Sequence, residues 1–283
     1  TSDIPIGAGL SSSAAVEVAF AIAWQALGNW RADRMSLAKL CQRAENDYVG
    51  VACGLMDQFA STHGIPGHVL YFDTRSLEWE ALPLPPDTVL VVADSGVRRA
   101  LAAPNQAGGS PESAYNERRA ACAKAVARMR AYLPEIQALR DVSSVEFAAY
   151  SEFLPPVIRR RAEHVVKEIA RVHSAVAALR TGNWRSFGAL MYASHASLRD
   201  LYEVSTPELD ALVEIARTLP GCIGARLTGA GFGGCTINLV EEAQVESFIQ
   251  GLEESYLRRT GMRAKVYVCK ASQGAEATIL TQD

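Results

Sequence analysis

The chain has 283 residues, with 28 Lys and Arg against 31 Asp and Glu, which gives a formal net charge of −3. Its hydrophobic fraction of 49% and charged fraction of 21% are those of a globular protein with one large domain or two ordinary ones. This composition excludes a disordered chain, and the near-neutral charge argues against a nucleic-acid or membrane-surface binder, which needs a basic face.

The first third of the chain predicts helices followed by short strands. Alanine-rich and amphipathic patterns indicate the helices, and apolar β-formers indicate the strands. Helices are predicted over residues 12–27, 34–48 and 55–61, and strands over 68–73 and 77–82. The segment Leu84-Pro-Pro-Asp87 is the best candidate for a domain boundary, because two prolines interrupt regular structure there.

The remainder of the chain is first helical and then mixed. After a predicted strand over 89–93 and a Gly/Pro-rich loop over 105–111, prolines and Gly182 separate the helical stretches. Helices are predicted over 113–133, 157–180, 184–201, 207–218 and 243–259, and strands over 225–228, 236–240 and 264–269. This order predicts an α+β fold, with an N-terminal domain over residues 1–85 and a C-terminal domain over 86–283.

No catalytic or metal-binding role is predicted for several groups of residues. The six cysteines form no C-x-x-C pair and are expected to be free thiols, as in a reducing cytoplasm. His164, His173 and His195 lack metal-ligand spacing. The run Arg159-Arg-Arg161 predicts a solvated helix face. The start of the chain shows no charged or apolar leader segment.

The segment Pro5-Ile-Gly-Ala-Gly-Leu-Ser-Ser-Ser-Ala14 stands directly before the first predicted helix. Small residues let a ligand approach the backbone, and the free N–H groups and dipole at a helix N-terminus attract phosphate. The alternative is an ordinary serine cap on a core helix. The segment has no Gly-Lys-Ser/Thr sequence, so it is not a Walker A loop.

Two carboxylates flank a glycine-containing bend. Glu45 is predicted near the end of one helix and Asp57 near the start of the next. Near a phosphate loop, one carboxylate could bind a divalent cation and the other could contact a substrate hydroxyl. Alternatively, both are helix caps or solvated charges.

A second glycine-rich segment, Leu227-Thr-Gly-Ala-Gly-Phe-Gly-Gly-Cys-Thr236, contains the letters G-x-G-x-x-G. A dinucleotide-binding fold would need a helix after this turn, whereas a strand is predicted there. We therefore expect a strand–turn–strand whose backbone packs against another loop or a phosphate.

These motifs, in this order, resemble those of the galactokinases of the GHMP small-molecule kinase superfamily. Residues 5–14 and 224–235 are similar to two superfamily motifs, and the segments Cys53-Gly-Leu-Met-Asp-Gln-Phe59 and Tyr202-Glu-Val-Ser-Thr-Pro-Glu-Leu-Asp210 are similar to galactokinases in particular. The resemblance covers nearly the whole chain. It implies a two-domain GHMP-kinase-like fold with a truncated N-terminal domain and a helix-rich, ferredoxin-like C-terminal domain.

The resemblance also implies a reaction and its residues. The reaction is ATP-dependent phosphorylation of galactose to galactose 1-phosphate in galactose metabolism, with ATP and Mg²⁺ as cofactors. Asp57 is implied as the catalytic residue, Ser13 and Glu45 as magnesium ligands, and Gly54, Asp57 and Tyr115 as sugar contacts. The implied phosphate-binding residues are Gly7, Ala8, Gly9, Leu10, Ser11, Ser12 and Ser13. We expect a cytoplasmic monomer with galactose and ATP as ligands and with no nucleic-acid or membrane partner.

One departure from the family pattern concerns the start of the chain. The earlier galactokinase signature, with its catalytic Arg and Glu-His-x-Asp cluster, has no match here, and we expect the chain to be a C-terminal portion with impaired activity. Two alternatives remain open. They are a kinase for N-acetylgalactosamine, arabinose or galacturonate, and a non-catalytic galactose and ATP sensor on the same fold.

Overall fold

The computed structural model describes residues 2, 4, 10–28, 30–49, 53–97 and 111–278, with the side chains of 111–113 and 115 left out. The chain forms two compact units. One comprises Thr1–Pro86 together with Cys269–Asp283, and the other comprises Asp87–Val268. The assignment of residues 1–85 and 86–283 to two functional domains stays a prediction.

The first unit combines three helices with a two-stranded antiparallel sheet. The elements are α1 (Ser12–Gly28), α2 (Arg34–Arg43), α3 (Met56–His63), β1 (His68–Phe72) and β2 (Trp79–Pro83). Asp33 caps α2 by accepting a hydrogen bond from the N–H of Ser36 at 2.9 Å. The end of the chain returns to this unit, where the N–H of Ala275 donates to the carbonyl of Ser61 at 2.8 Å.

Two small apolar clusters hold the first unit together. Val18 of α1 packs with Leu37 and Cys41 of α2, and all three are buried. On the other side of α2, the ring of Phe59 on α3 stacks on Phe72 of β1 with centroids 3.9 Å apart. These contacts fix α1 and α3 against α2 and thereby place the first turns of α1 and α3, where the candidate site lies.

The second unit contains six helices and a four-stranded sheet among the described residues. Its helices are α4 (Pro111–Met129), α5 (Ser144–Tyr150), α6 (Pro156–Arg180), α7 (Trp184–Ser197), α8 (Pro207–Thr218) and α9 (Val245–Thr260). Its strands are β3 (Thr88–Asp94), β4 (Cys222–Leu227), β5 (Cys235–Glu241) and β6 (Lys265–Cys269), in the order β4-β5-β3-β6. Strand β5 is antiparallel to both β3 and β4.

The core of the second unit lies between this sheet and helices α8 and α9. Phe248, Leu252 and Tyr256 of α9 are fully buried against Leu212 of α8 and Val91 of β3. The hydroxyl of Tyr256 donates to the carbonyl of Ser95 at 2.8 Å, so its single polar group is satisfied in the interior. A separate cluster formed by α4, α5 and α6 completes the unit.

The predicted α+β class is confirmed, and the element boundaries differ in places. The helix predicted over 34–48 is α-helical only to Arg43 and continues as a π-helical turn, Ala44–Val49. The helix predicted over 184–201 likewise changes to a π-helical turn, Leu198–Tyr202. Helix α5 was not predicted, because its seven residues are too short for a clear period.

One prediction about a surface was wrong. Arg161, expected on a solvated helix face, is only 2% exposed. Its guanidinium donates to the carbonyl of Leu201 at 2.6 Å and to the carboxylate of Glu203 at 2.5 Å. The helical period alone could not show that a polar turn covers this face of α6. All six cysteines are free, as predicted.

No helix among the described residues combines the length and apolar character that crossing a membrane requires.

Candidate functional site

The first turn of α1 begins directly after a residue in an unusual backbone conformation. Ser11 has φ of 54°, in the left-handed region, and its carbonyl accepts the N–H of Ala15 at 3.1 Å. A non-glycine residue in this region costs about 1–2 kcal/mol, so surrounding contacts must hold it there. The N–H groups of the first turn of α1 have no acceptor within the helix.

One contact that holds Ser11 comes from α3. The Ser11 hydroxyl donates to Oδ2 of Asp57 at 2.5 Å. Asp57 stands in the first turn of α3, where a carboxylate is favoured by the positive end of the helix dipole. Ser11 and Asp57 are 46 positions apart in sequence, and their hydrogen bond brings two predicted site residues together.

A second serine–carboxylate pair lies two residues further along the same helix start. The Ser13 hydroxyl donates to Oε1 of Glu45 at 2.8 Å. Glu45 sits in the π-helical turn that follows α2 and is 9% exposed. Sequence spacing alone cannot predict this approach, because the wider π turn changes the direction of side chains after Arg43.

Gln58 lies between two carboxylates and is a site residue that was not predicted from the sequence. Its Nε2 donates to Glu45 Oε2 at 2.8 Å and is 3.4 Å from Glu17 Oε2. Cys53 is a third polar partner of the Glu45 carboxylate, since its Sγ lies 3.5 Å from Glu45 Oε2. Glu17 could have been found, because it follows Ser13 by four positions on α1 and so shares its face. The only signal at Gln58 was its place in the segment from Cys53 to Phe59 that resembles galactokinases.

Burial and mutual repulsion disfavour negative charge in the cluster of Glu45, Gln58, Glu17 and Cys53. Burial raises the pKa of Glu17, and the charge of Glu45 raises it further against a hydrogen bond from Gln58. Burial also raises the pKa of the Cys53 thiol, and Glu45 adds to that rise, so the thiol stays protonated and donates. A cation placed near Glu45 would relieve this accumulation of negative charge.

The Ser13–Glu45 pair fits a divalent magnesium ion. Hydroxyl and carboxylate oxygens are the ligands that Mg²⁺ prefers, and Mg²⁺ usually takes only one or two protein ligands beside phosphate and water. The described residues contain no group of three or more His, Cys, Asp or Glu side chains arranged to enclose a metal. The donor set therefore suits a metal shared with a phosphate ligand.

The other predicted site residues fall into three groups. Gly7, Ala8 and Gly9 lie outside the described residues, whereas Leu10 and Ser12 are described, with Ser12 opening α1. Gly54 is exposed two residues before α3, and a Cβ added to it would meet no atom within 4 Å. Tyr115 stands on α4 in the second unit, and its side chain lies outside the description.

The second glycine-rich segment is a tight turn between β4 and β5, as predicted. Gly229, Gly231, Gly233 and Gly234 all have positive φ, and so does Phe232, at 62°. The Phe232 side chain is buried in a cluster that includes Leu198, Val204, Leu209 and Leu227. The turn is thus anchored by a residue whose strained backbone is stabilised by its buried ring.

Comparison with known proteins adds matches to two family models and to two galactokinases. Models of the GHMP kinases N terminal domain and of the GHMP kinases C terminal match residues 1–65 and 175–257. The chain is 50% identical over 273 residues to the galactokinase of Roseiflexus sp. (strain RS-1), covering 96% of this chain and 68% of that protein. It is 44% identical over 282 residues to the galactokinase of Chloroflexus aurantiacus, covering 100% of this chain and 70% of that protein.

A solved structure gives the same result. The chain superimposes on the crystal structure of Lactococcus lactis galactokinase complexed with galactose with a TM-score of 0.88 at 39% sequence identity. The match covers 96% of this chain and 68% of the other.

Proposed function

The chain belongs to the galactokinase family of the GHMP kinases and is a sugar kinase, and from this premise we propose that its sugar is galactose. The proposed reaction transfers the γ-phosphoryl group of ATP to the anomeric hydroxyl and yields galactose 1-phosphate. The observation that carries this proposal is the pairing of two serines at the start of α1 with the carboxylates Asp57 and Glu45. The galactose bound in the Lactococcus lactis structure supports the choice of sugar.

The start of α1 supplies the charge that phosphates need. Phosphoryl transfer depends mainly on positioning and on neutralising charge on the phosphate oxygens. The N–H groups of the first turn of α1, with the predicted residues Gly7, Ala8, Gly9, Leu10, Ser11, Ser12 and Ser13, would hold the nucleotide phosphates. The positive end of the α1 dipole would favour the same anions.

Ser13 and Glu45 would hold Mg²⁺ when the nucleotide is bound. The bound ion would neutralise charge on the phosphate oxygens. Gln58 keeps the Glu45 carboxylate in place by donating to Oε2, which leaves Oε1 facing Ser13. The two proposed ligands would thus be oriented before a nucleotide arrives.

Asp57 is the proposed catalytic residue. Its carboxylate accepts a hydrogen bond from Ser11 and retains lone pairs for a sugar hydroxyl. By accepting a hydrogen bond from the attacking hydroxyl, Asp57 would orient the oxygen and stabilise its developing positive charge. Gly54, with open space beside its Cα, and Tyr115 are proposed as further sugar contacts.

The test measures ADP release by the protein expressed from its complete gene, with ATP and a panel of sugars. We expect galactose to give the highest kcat/KM, ahead of N-acetylgalactosamine, arabinose and galacturonate. A different preferred sugar would overturn the choice of galactose. Calorimetric binding of galactose and ATP without turnover would instead identify a sensor.

Asp57→Asn tests the residue assignment. General acid–base groups contribute about 10²- to 10⁴-fold, so we expect kcat to fall by about that factor while ATP binding persists. Asp47→Asn is the matched control, since Asp47 lies in the same unit with 72% of its side chain exposed. Full turnover by Asp57→Asn would reject the assignment. The cytoplasmic location, the monomeric state and the lack of nucleic-acid and membrane partners stay predictions.

A further inference from the structure

A buried arginine in the second unit links helix α4 to the π-helical turn Leu198–Tyr202 and to the glycine-rich turn between β4 and β5. Arg118 stands on α4 and is 8% exposed. Burial lowers its pKa, and the charge of Arg161 adds to that effect, against the carboxylates of Glu117 and Glu203. A charged group is retained in such a place only where hydrogen bonds replace its lost water.

The guanidinium of Arg118 makes those hydrogen bonds to one turn. Its Nε donates to the carbonyl of Tyr202 at 3.2 Å, and its Nη2 donates to the carbonyl of Glu203 at 2.8 Å. These carbonyls end the π-helical turn Leu198–Tyr202, where Glu203 adopts a left-handed conformation with φ of 52°. A planar fork suits two successive carbonyls, and a lysine ammonium lacks that shape.

The same turn holds the glycine-rich turn between β4 and β5. The N–H of Phe232 donates to the carbonyl of Val204, the residue after Glu203, at 2.6 Å. A Cβ on Gly231 would lie only 2.3 Å from that carbonyl oxygen, so the two segments are in backbone contact. The guanidinium carbon of Arg118 also lies 5.2 Å from the centroid of the Phe232 ring, within cation–π range.

We propose that Arg118 is a positioning residue for sugar phosphorylation, acting through Tyr115 and the glycine-rich turn. Tyr115, a proposed sugar contact, precedes Arg118 by three residues on α4. By binding the carbonyls of Tyr202 and Glu203 and covering the ring of Phe232, Arg118 keeps this part of α4 in one arrangement with the glycine-rich turn. The proposal rests on the galactokinase activity proposed above.

Two other arginines provide matched controls. Arg119 is the next residue on α4 and is exposed. Arg161 is buried and binds the same turn, through the carbonyl of Leu201 and the carboxylate of Glu203, but it stands on α6. Arg161→Lys therefore removes a buried guanidinium from the same turn while the guanidinium of Arg118 remains on α4.

The experiment compares Arg118→Lys, Arg119→Lys and Arg161→Lys for steady-state kinetics, Tm and hydrogen exchange of backbone amides. Small displacements of a positioned substrate cost up to about 100-fold, so we expect Arg118→Lys to lower kcat/KM for galactose about 10- to 100-fold. The KM for ATP should change less than about twofold, because the proposed phosphate-binding residues lie in the first unit. Arg119→Lys should match the wild type.

Hydrogen exchange separates positioning from a general loss of stability. We expect faster exchange in Arg118→Lys at the amides of Phe232 and Gly234, with the amides of β5 and α9 unchanged. The proposal is overturned if the amides of Phe232 and Gly234 in Arg118→Lys exchange as in the wild type. It is also overturned if Arg118→Lys and Arg161→Lys lose kcat/KM for galactose equally and in proportion to their loss of Tm. If the wild type shows no galactose-dependent turnover, the proposed function fails, and the exchange comparison still decides whether Arg118 holds the turn.

Discussion

Helix α7 lies so close to strand β4 that a single added methyl group should separate them. Gly188 of α7 is buried, and a Cβ built on it would lie 1.9 Å from the carbonyl oxygen and 2.7 Å from the carbonyl carbon of Ile223. From the other side, a Cβ on Gly224 would lie 2.7 Å from the Cα of Gly188. Both obstacles are backbone atoms, which cannot rotate away. Gly188→Ala is therefore the informative substitution.

Two opposing effects determine its outcome. Alanine is favoured over glycine in a helix interior by about 1 kcal/mol. Overpacking costs about 1–3 kcal/mol, and the upper end applies here because α7 must move away from the strand as a whole. We therefore expect a net loss of about 2 kcal/mol in the free energy of unfolding. For a unit of this size that corresponds to a Tm lowered by about 4–8 °C.

The assay is urea unfolding together with calorimetry, and Gly251→Ala is its matched control. Gly251 is also a helical glycine, on α9, but a Cβ there would approach the side chain of Leu219 and no backbone atom, with Cδ2 nearest at 2.7 Å. A leucine tip can change rotamer, so Gly251→Ala should change the free energy of unfolding by less than about 0.5 kcal/mol. A more stable Gly188→Ala protein, or an equal loss of stability in the two variants, would contradict this expectation.

Two further predictions concern buried polar groups of the second unit. Burial raises the pKa of Asp210, but hydrogen bonds from His195 and Ser205 outweigh it and hold that pKa below its ordinary value of 3.8. The carboxylate thus contributes stability above that pH and loses it as the pH falls through the lowered pKa, so Asp210→Asn should flatten acid unfolding below about pH 4. An unchanged slope in circular dichroism would contradict this. Tyr256→Phe leaves the carbonyl of Ser95 without its donor. We therefore expect urea unfolding to show a free energy of unfolding lowered by about 1–2 kcal/mol. An unchanged free energy would show that another donor reaches that carbonyl.

The sequence was a good guide to the elements and a partial guide to the site. Periodic apolar residues located most helices and strands, and prolines fixed the start of α8 at Pro207. The serines at the start of α1 and the carboxylates Glu45 and Asp57 were selected from local chemistry and from motif resemblance, but neither gives the distances between their side chains. The Ser11–Asp57 contact joins residues 46 positions apart, and that separation follows from how α1 and α3 pack on α2.

The roles that could not be predicted from the sequence belong to residues that depend on a neighbour from elsewhere in the chain. Gln58 acquires its role only because the π-helical turn brings Glu45 to its amide. Arg118 and Arg161 read as ordinary charged residues of helices, and their burial depends on a turn some 40 or more positions later.

The α+β order of elements and the family could be predicted from the sequence, because periodicity, turn residues and motif spacing are local properties of the chain. Only the folded chain shows which carboxylate faces which serine, which arginines are buried and where the backbones of α7 and β4 approach each other. These contacts depend on packing between elements far apart in sequence, and no local pattern of residues encodes the distance between two side chains brought together by folding.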